Sequence, residues 1–247
     1  MPSSHPLQLI DILVIVFSFL TEREILVSCK NVCRAWRNAA RVCRPLMYCL
    51  RGVDNAHLQD VKGWPSLDFF NSAITKLDDL SPFHSLHRLT ISWTAVSSLE
   101  PLRDCTTIHY LDLAGTRVQT IAPLENCINL RFLFADNTKI TDLSPLQNCS
   151  FLKTLDIHRT LVTNLSPLSS CIRLELLNAS ETTVSDLSPL SLCQNLKTLR
   201  IFKTQVTTIS PILSCKKLQT LSIHGSPISD LALLKKTDIE IVPKPQS

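Results

Sequence analysis

From Leu86 onward the chain repeats itself every 22 residues, with copies opening at Leu86, Ile108, Leu130, Leu152, Leu174, Leu196 and Leu218. The columns read L-x-x-L-x-I-x-x-T-x-V-x-x-L-x-P-L-x-x-C-x-x. The fourth is leucine in every copy: Leu89, Leu111, Leu133, Leu155, Leu177, Leu199 and Leu221. A short fixed period means that each unit is stabilised mainly by its neighbours, so the chain stacks into a solenoid. Solenoids usually serve as surfaces for holding another protein, which points away from catalysis.

The columns have separate physical roles. Positions 1, 4 and 6 are apolar, and the alternation around position 4 reads as a short strand with one buried face. One strand per repeat stacks into a parallel sheet on the inner curve. Position 11 (Val or Ile) and position 14 (Leu or Ile) fill the core from its other walls. Position 16 is proline six times, from Pro101 to Pro211, and it most often follows serine: Ser144, Ser166, Ser188 and Ser210. Ser-Pro reads as N-cap and first residue of one helical turn, so short helical turns are expected on the outer wall. The fold class is therefore α/β: a parallel concave sheet backed by short convex helical turns.

Two further columns are regular. Position 9 is Thr94, Thr116, Thr138, Thr160, Thr182, Thr204 and then Ser226, and position 20 is Cys105, Cys127, Cys149, Cys171, Cys193 and Cys215. A threonine hydroxyl can satisfy buried backbone groups where the chain turns. The cysteine column is read as small apolar filling rather than a metal or disulfide ladder, because metal sites want Cys and His clustered at short spacing. Unpaired thiols in such number favour a reducing compartment, hence a cytoplasmic or nuclear location.

This part of the chain resembles the leucine-rich repeat superfamily. Ile140-Thr141-Asp142-Leu143-Ser144-Pro145-Leu146 followed by Leu152-Lys153-Thr154-Leu155-Asp156-Ile157 is similar to the 22-residue class of internalins and protein-phosphatase regulatory subunits. The departures are Thr where that class has Asn and Cys where it has Leu. The resemblance covers residues 67 to about 240. It implies the fold and, for function, only that a protein partner is held. Residues 67–85 read as a shorter opening copy, Ile239, Ile241 and Val242 as a closing strand over the sheet edge, and 243–247 as a polar tail.

Residues 1–50 do not repeat. The run 7–20 is strongly apolar, but it has no Lys or Arg before Arg23, contains Asp11, and leads into Thr21-Glu22-Arg23-Glu24, a helix start rather than a cleavage site. It is also short for a membrane span, so no membrane partner is expected. Ile25, Leu26, Cys29, Val32, Cys33 and Trp36 continue an apolar face at helical spacing, with Arg34, Arg37, Arg41 and Arg44 on the polar side.

The run Ile12-Leu13, Val16-Phe17-Ser18-Phe19-Leu20, Ile25-Leu26 and Val32-Cys33-Arg34-Ala35-Trp36-Arg37 resembles an F-box, the helical motif that docks on the Skp-type adaptor of cullin ubiquitin ligases. The family's opening Leu-Pro is absent at the matching place, where His5-Pro6-Leu7 lies a few residues early, and the distance from Leu20 to Trp36 is one residue longer than the family's. Carried over by position, the resemblance implies adaptor contacts from Leu9, Ile12, Leu13, Val16, Phe19, Leu20, Leu26, Val32 and Trp36. F-box followed by leucine-rich repeats is the architecture of substrate receptors. The expected organisation is an F-box-like region at 1–50, a junction at 51–66, a solenoid with end caps at 67–242, and the tail. The alternatives are a scaffold or phosphatase regulator whose N-terminal helices are a cap, and a secreted adhesin-like protein.

Concave positions 3, 5 and 7 are mostly small or polar, as at Thr154, Thr198 and Ser222. Tyr110, Phe132 and Phe134 break that rule together, and Leu176 and Phe202 extend the apolar character. With His158 among the polar neighbours, these six are the expected contacts for a protein substrate whose identity the sequence does not give. The net charge of +4 is mild and spread out, so nucleic acid is not an expected partner. The seven His are dispersed, the four Gly leave no nucleotide loop, and no Ser/His/Asp grouping is readable, so neither enzyme activity nor cofactor nor metal is expected.

Overall fold

A computed structural model describes residues 65–78 and 85–242. The F-box-like segment, with Leu9, Ile12, Leu13, Val16, Phe19, Leu20, Leu26, Val32 and Trp36, lies outside these residues, as do Ser81-Pro82-Phe83 and the tail.

Nine strands form one parallel sheet in sequence order among the described residues. They are β1 (Ser66–Asp68), β2 (Arg88–Thr90), β3 (Tyr110–Asp112), β4 (Phe132–Phe134), β5 (Thr154–Asp156), β6 (Leu176–Asn178), β7 (Thr198–Arg200), β8 (Thr220–Ser222) and β9 (Glu240–Ile241). The strands are short because each repeat gives only its alternating segment to the sheet. From β1 to β8 the register is the repeat itself, with Leu67 opposite Leu89, Leu89 opposite Leu111, and so on to Leu199 opposite Leu221. Each of these leucines is buried, and columns 1, 6, 11, 14, 17 and 20 close around them into one continuous core.

Past each strand the ladder continues to position 8, whose N–H donates to the position-7 carbonyl of the next repeat, as Asn137 does to His158 and Glu181 to Phe202. There the backbone turns through the left-handed region: Trp93, Asn137, Arg159, Glu181 and Lys203 have φ between 51° and 59°, and Gly115 and Gly225 take the same role. The threonine column closes this turn. Each Oγ1 from Thr94 to Thr204 donates to the position-6 carbonyl of its own repeat, at 2.6–2.8 Å. The hydroxyl thereby satisfies a buried carbonyl where the chain turns.

The outer wall is made of 3-10 turns, including Glu100–Leu102, Ala122–Leu124, Ser144–Asn148, Ser166–Ser170, Ser188–Leu192 and Ser210–Ser214. One expectation needs correction. Serine is not the cap: Ser144, Ser166 and Ser188 are already inside the turn, with proline following in the first two positions. The N-cap position is the apolar residue at position 14, Leu143, Leu165 or Leu187, which makes no side-chain cap bond; the side chain at position 13 does the capping work. Asp142, Asn164 and Asp186 each accept the N–H of the serine at 2.8 Å, and the hydroxyls of Ser98, Thr120 and Thr208 do the same work in their repeats. A side-chain oxygen two residues before the turn reaches the first orphan N–H, which a serine within the turn cannot do.

The first copy is shorter, with Phe69, Ile74 and Leu77 buried behind β1. At the other end β9 pairs with β8 as the closing strand, yet Ile241 stays 49% exposed, so the strand extends the sheet without covering its edge. Among the described residues no helix is long and apolar enough to cross a membrane.

Candidate functional site

The concave aromatic residues come together across β3 and β4. Tyr110 and Phe132 are register partners with ring centroids 6.1 Å apart, and Phe134, diagonal to Tyr110, is closer at 5.5 Å; both contacts are tilted. These are separations at which aromatic pairs attract. All three residues are half-buried, so each ring keeps an open face. From β2, Arg88 lays its guanidinium over Tyr110, with Cζ 3.5 Å from the ring centroid. That cation was not among the residues singled out in the sequence. The signal was available, since position 3 of β2 must sit beside position 3 of β3. Burial pushes the Tyr110 phenol up, against the opposing pull of Arg88.

Carboxylates border this patch. Asp112, in register with Phe134, accepts the Ser92 hydroxyl and the Ala114 N–H, both at 3.1 Å; burial raises its pKa, with Asp136 and Asp68 adding to the rise. Asp156 accepts the His158 N–H at 3.0 Å and the Asn178 amide at 3.1 Å, and burial raises it too. Asp112 and Asp156 are thus each held from two sides: the carboxylate ties down the N–H two residues on and a side chain of a neighbouring repeat.

The remaining expected contacts lie apart from the trio. His158 meets Phe202 edge-on at 5.7 Å, across the fully buried Ser180 of the intervening repeat. Phe202 is only 7% exposed, which corrects its reading as an open contact. Ser180 is small, so the large residues on either side close over it and Phe202 becomes filling. Leu176 is half-buried on β6, with Thr154 between it and Phe132 in the register. The structure therefore brings together Tyr110, Phe132 and Phe134, and sets His158, Leu176 and Phe202 apart from them.

Beyond the concave face, Trp93 is 54% exposed and its indole lies against Gly115. On the flank before the strands, Ile128, Phe151 and Ile172 are exposed, and Arg173 stacks on Phe151 at 4.5 Å. Neither group was expected, because these columns carry no consistent residue type from repeat to repeat.

The cysteine column is buried. Cys149 donates to the Cys127 carbonyl at 3.6 Å, and Cys193 lies 3.6–3.7 Å from the Leu168 and Cys171 carbonyls. Loss of solvent pushes the thiols of Cys127, Cys149 and Cys193 up to about 12 and that of Cys171 to about 11, so they are protonated at neutral pH and poor nucleophiles. Among the described residues no three of His, Cys, Asp and Glu gather as metal ligands.

The family model for leucine-rich repeats in two copies matches residues 106–148, 128–170 and 194–236, so the chain carries leucine-rich repeats. In fold it is similar to the internalin inlF from Listeria monocytogenes, with TM-score 0.73 and 24% identity over 77% of this chain; the chain spans 57% of that structure. The internalin inlC2 from the same organism gives TM-score 0.68 and 26% identity, over 76% of this chain and 83% of that one. The plant peptide hormone receptor RGFR1, solved in complex with RGF2, gives TM-score 0.62 and 14% identity, over 72% of this chain and 31% of the receptor. No curated protein matches the chain in sequence.

Proposed function

We propose that this leucine-rich repeat solenoid is a protein-binding scaffold, not itself an enzyme, whose concave face holds a protein partner on Tyr110, Phe132 and Phe134. The observation that carries this is the aromatic trio: three half-buried rings packed together on a face whose other positions are mostly small or polar. Large rigid rings of this kind are the common anchors of protein interfaces. A plant peptide hormone receptor of similar fold, RGFR1, is in complex with RGF2, which supports a protein or peptide partner for this chain.

The finer reading is that the chain is the substrate-recognition subunit of a Skp–cullin–F-box ubiquitin ligase, working in the cytoplasm or nucleus. Its support is the F-box resemblance of residues 6–45. In that reading Leu9, Ile12, Leu13, Val16, Phe19, Leu20, Leu26, Val32 and Trp36 face the adaptor, and the concave sheet faces the substrate. The test uses purified Skp-type adaptor and full-length chain. The wild type binds, and Trp36→Ala weakens binding at least tenfold, a loss of about 1.4 kcal/mol. An adaptor that ignores the wild-type chain ends the ligase reading and leaves the scaffold reading standing. The scaffold reading is tested separately: Phe134→Ala leaves the melting temperature nearly unchanged and reduces partner capture by about tenfold. A steep fall in melting temperature instead makes Phe134 core and refutes the patch.

A further inference from the structure

Beside the aromatic trio, at the far end of the same strands, lies a groove of about 520 Å³. Three consecutive repeats build it: Thr116, Arg117 and Gln119 follow β3, Asn137, Thr138 and Lys139 follow β4, and Arg159 follows β5. Its walls hold three cations and no carboxylate. The two threonine hydroxyls are committed to the Leu113 and Ala135 carbonyls. Asn137 donates to Asp136 at 2.8 Å, and Arg159 donates to Glu181 from Nε at 3.0 Å and from Nη2 at 3.4 Å, holding that carboxylate below its usual range and leaving Arg117 and Lys139 as the free cations of the groove. The backbone N–H groups of Arg117 and Lys139 are taken by the carbonyls of Val96 and Val118. Among the described residues the side chains of Arg117, Lys139 and Gln119 have no hydrogen-bond or ion-pair partner. The groove thus presents uncommitted donors and positive charge in an open setting. Small-molecule pockets enclose most of their ligand; this open groove suits a charged group carried on a larger partner.

We propose that the groove between Arg117, Lys139 and Arg159 is a phosphate subsite of the partner surface, so that a segment docking an apolar side chain on Tyr110, Phe132 and Phe134 sets a phosphorylated side chain there. A phosphate monoester brings close to two negative charges and three acceptor oxygens, enough to engage cations from several repeats at once. A carboxylate is satisfied by one guanidinium in bidentate fashion and leaves the other cations unanswered. The neighbouring concave positions, Asp112, Asp136 and Asp156, repel an anion from the sheet, so the groove is where it settles. The two subsites sit on the same repeats: the chain passes from Phe134 through Ala135 and Asp136 directly into Asn137. The proposal rests on the reading of the concave face as the partner surface.

The probe is a degenerate peptide library in three matched forms, with phosphoserine, serine or glutamate at one fixed central position, passed over immobilised full-length chain. The wild type retains the phosphoserine form about tenfold over the other two and selects a large apolar residue at a fixed offset. Arg117→Ala combined with Lys139→Ala abolishes the phosphate preference and keeps the apolar selection. Phe134→Ala does the reverse. Apolar selection without phosphate preference overturns the subsite and spares the concave reading. Equal retention of the glutamate form assigns the groove to acidic segments and overturns the phosphate. A phosphate preference that survives the double variant places the site elsewhere. Tighter retention of single-stranded DNA, lost in the double variant, assigns the groove to a nucleic-acid backbone. A wild type that retains no form overturns both readings.

Discussion

Replacing Thr160 with valine keeps the shape of the side chain and removes one hydrogen bond, from Oγ1 to the Ile157 carbonyl at 2.7 Å in a buried turn. Among the described residues nothing else donates to that carbonyl, so the substitution loses the bond and strands a buried acceptor. A lost bond costs about 0.5–1.5 kcal/mol and an unsatisfied buried group about 1–3 kcal/mol, so Thr160→Val should cost about 2 kcal/mol. At Thr116 the Leu113 carbonyl also receives the Thr116 N–H at 3.3 Å, and at Thr204 the Ile201 carbonyl also receives the Ser226 hydroxyl at 2.6 Å. In both cases the acceptor keeps a partner, so Thr116→Val should cost about 1 kcal/mol or less, and Thr204→Val, which also loses the contact of Thr204 Oγ1 with Ser226 Oγ at 3.0 Å, about 1 kcal/mol. For a chain of this size 1 kcal/mol moves the melting temperature by about 2–4 °C, which separates the variants. Urea unfolding followed by tryptophan fluorescence at unchanged m-value supplies the free energies. Equal losses in the three variants, or a larger loss at Thr116, would refute the idea that this column works through the carbonyl it satisfies.

Three other predictions follow from buried groups. The thiols of Cys127, Cys149, Cys171 and Cys193 are raised in the folded chain from 9.0 to about 11–12. Their stabilisation is therefore complete below pH 9 and lost as pH rises toward 11–12, where only the unfolded chain releases the protons. Urea midpoints at pH 8 and pH 10 should show the fall, and Cys149→Ala should flatten it; an unchanged slope in the variant contradicts the cause. Thiol reagents at pH 8 should label the column slowly in native protein and fully in urea, and fast native labelling would show an open column. Gly115→Ala places a Cβ 2.7 Å from Trp93 Cε3 at φ +64°, so it should cost at least about 1 kcal/mol; in a Trp93→Ala background only the backbone part remains, and an equal loss in both backgrounds removes the indole from the account.

The core columns were legible in the sequence because the period writes each physical requirement several times over. Leu89 through Leu221, the threonines and the cysteines all landed where their alternation placed them. The cap did not. Ser-Pro is a strong helix-start signal, whereas the working cap at position 13 alternates among Ser, Thr, Asp and Asn, which share an oxygen but not a letter. Phe202 failed for another reason. Its strand position points it off the core, and only the size of Ser180, 22 residues earlier, lets its ring close down beside His158. The groove was invisible because Arg117, Lys139 and Arg159 sit at positions 10, 10 and 8. No single column of the repeat contains all of them.

The left-handed turn at position 8 has a consequence for how this solenoid can change over generations. Asn71, Trp93, Asn137, Arg159, Glu181 and Lys203 all hold a conformation that side chains other than glycine enter at a cost of about 1–2 kcal/mol each, and the hydrogen bonds that impose it are main-chain bonds and threonine bonds. Glycine would serve the backbone better at each of them, as it does at Gly115 and Gly225. The side chains placed there pair along the edge instead: Arg159 and Lys203 both reach Glu181, and the Trp93 indole lies over Gly115. The edge can exchange one residue per repeat, in steps of about 4.8 Å along the stack, while the curvature underneath stays as it is.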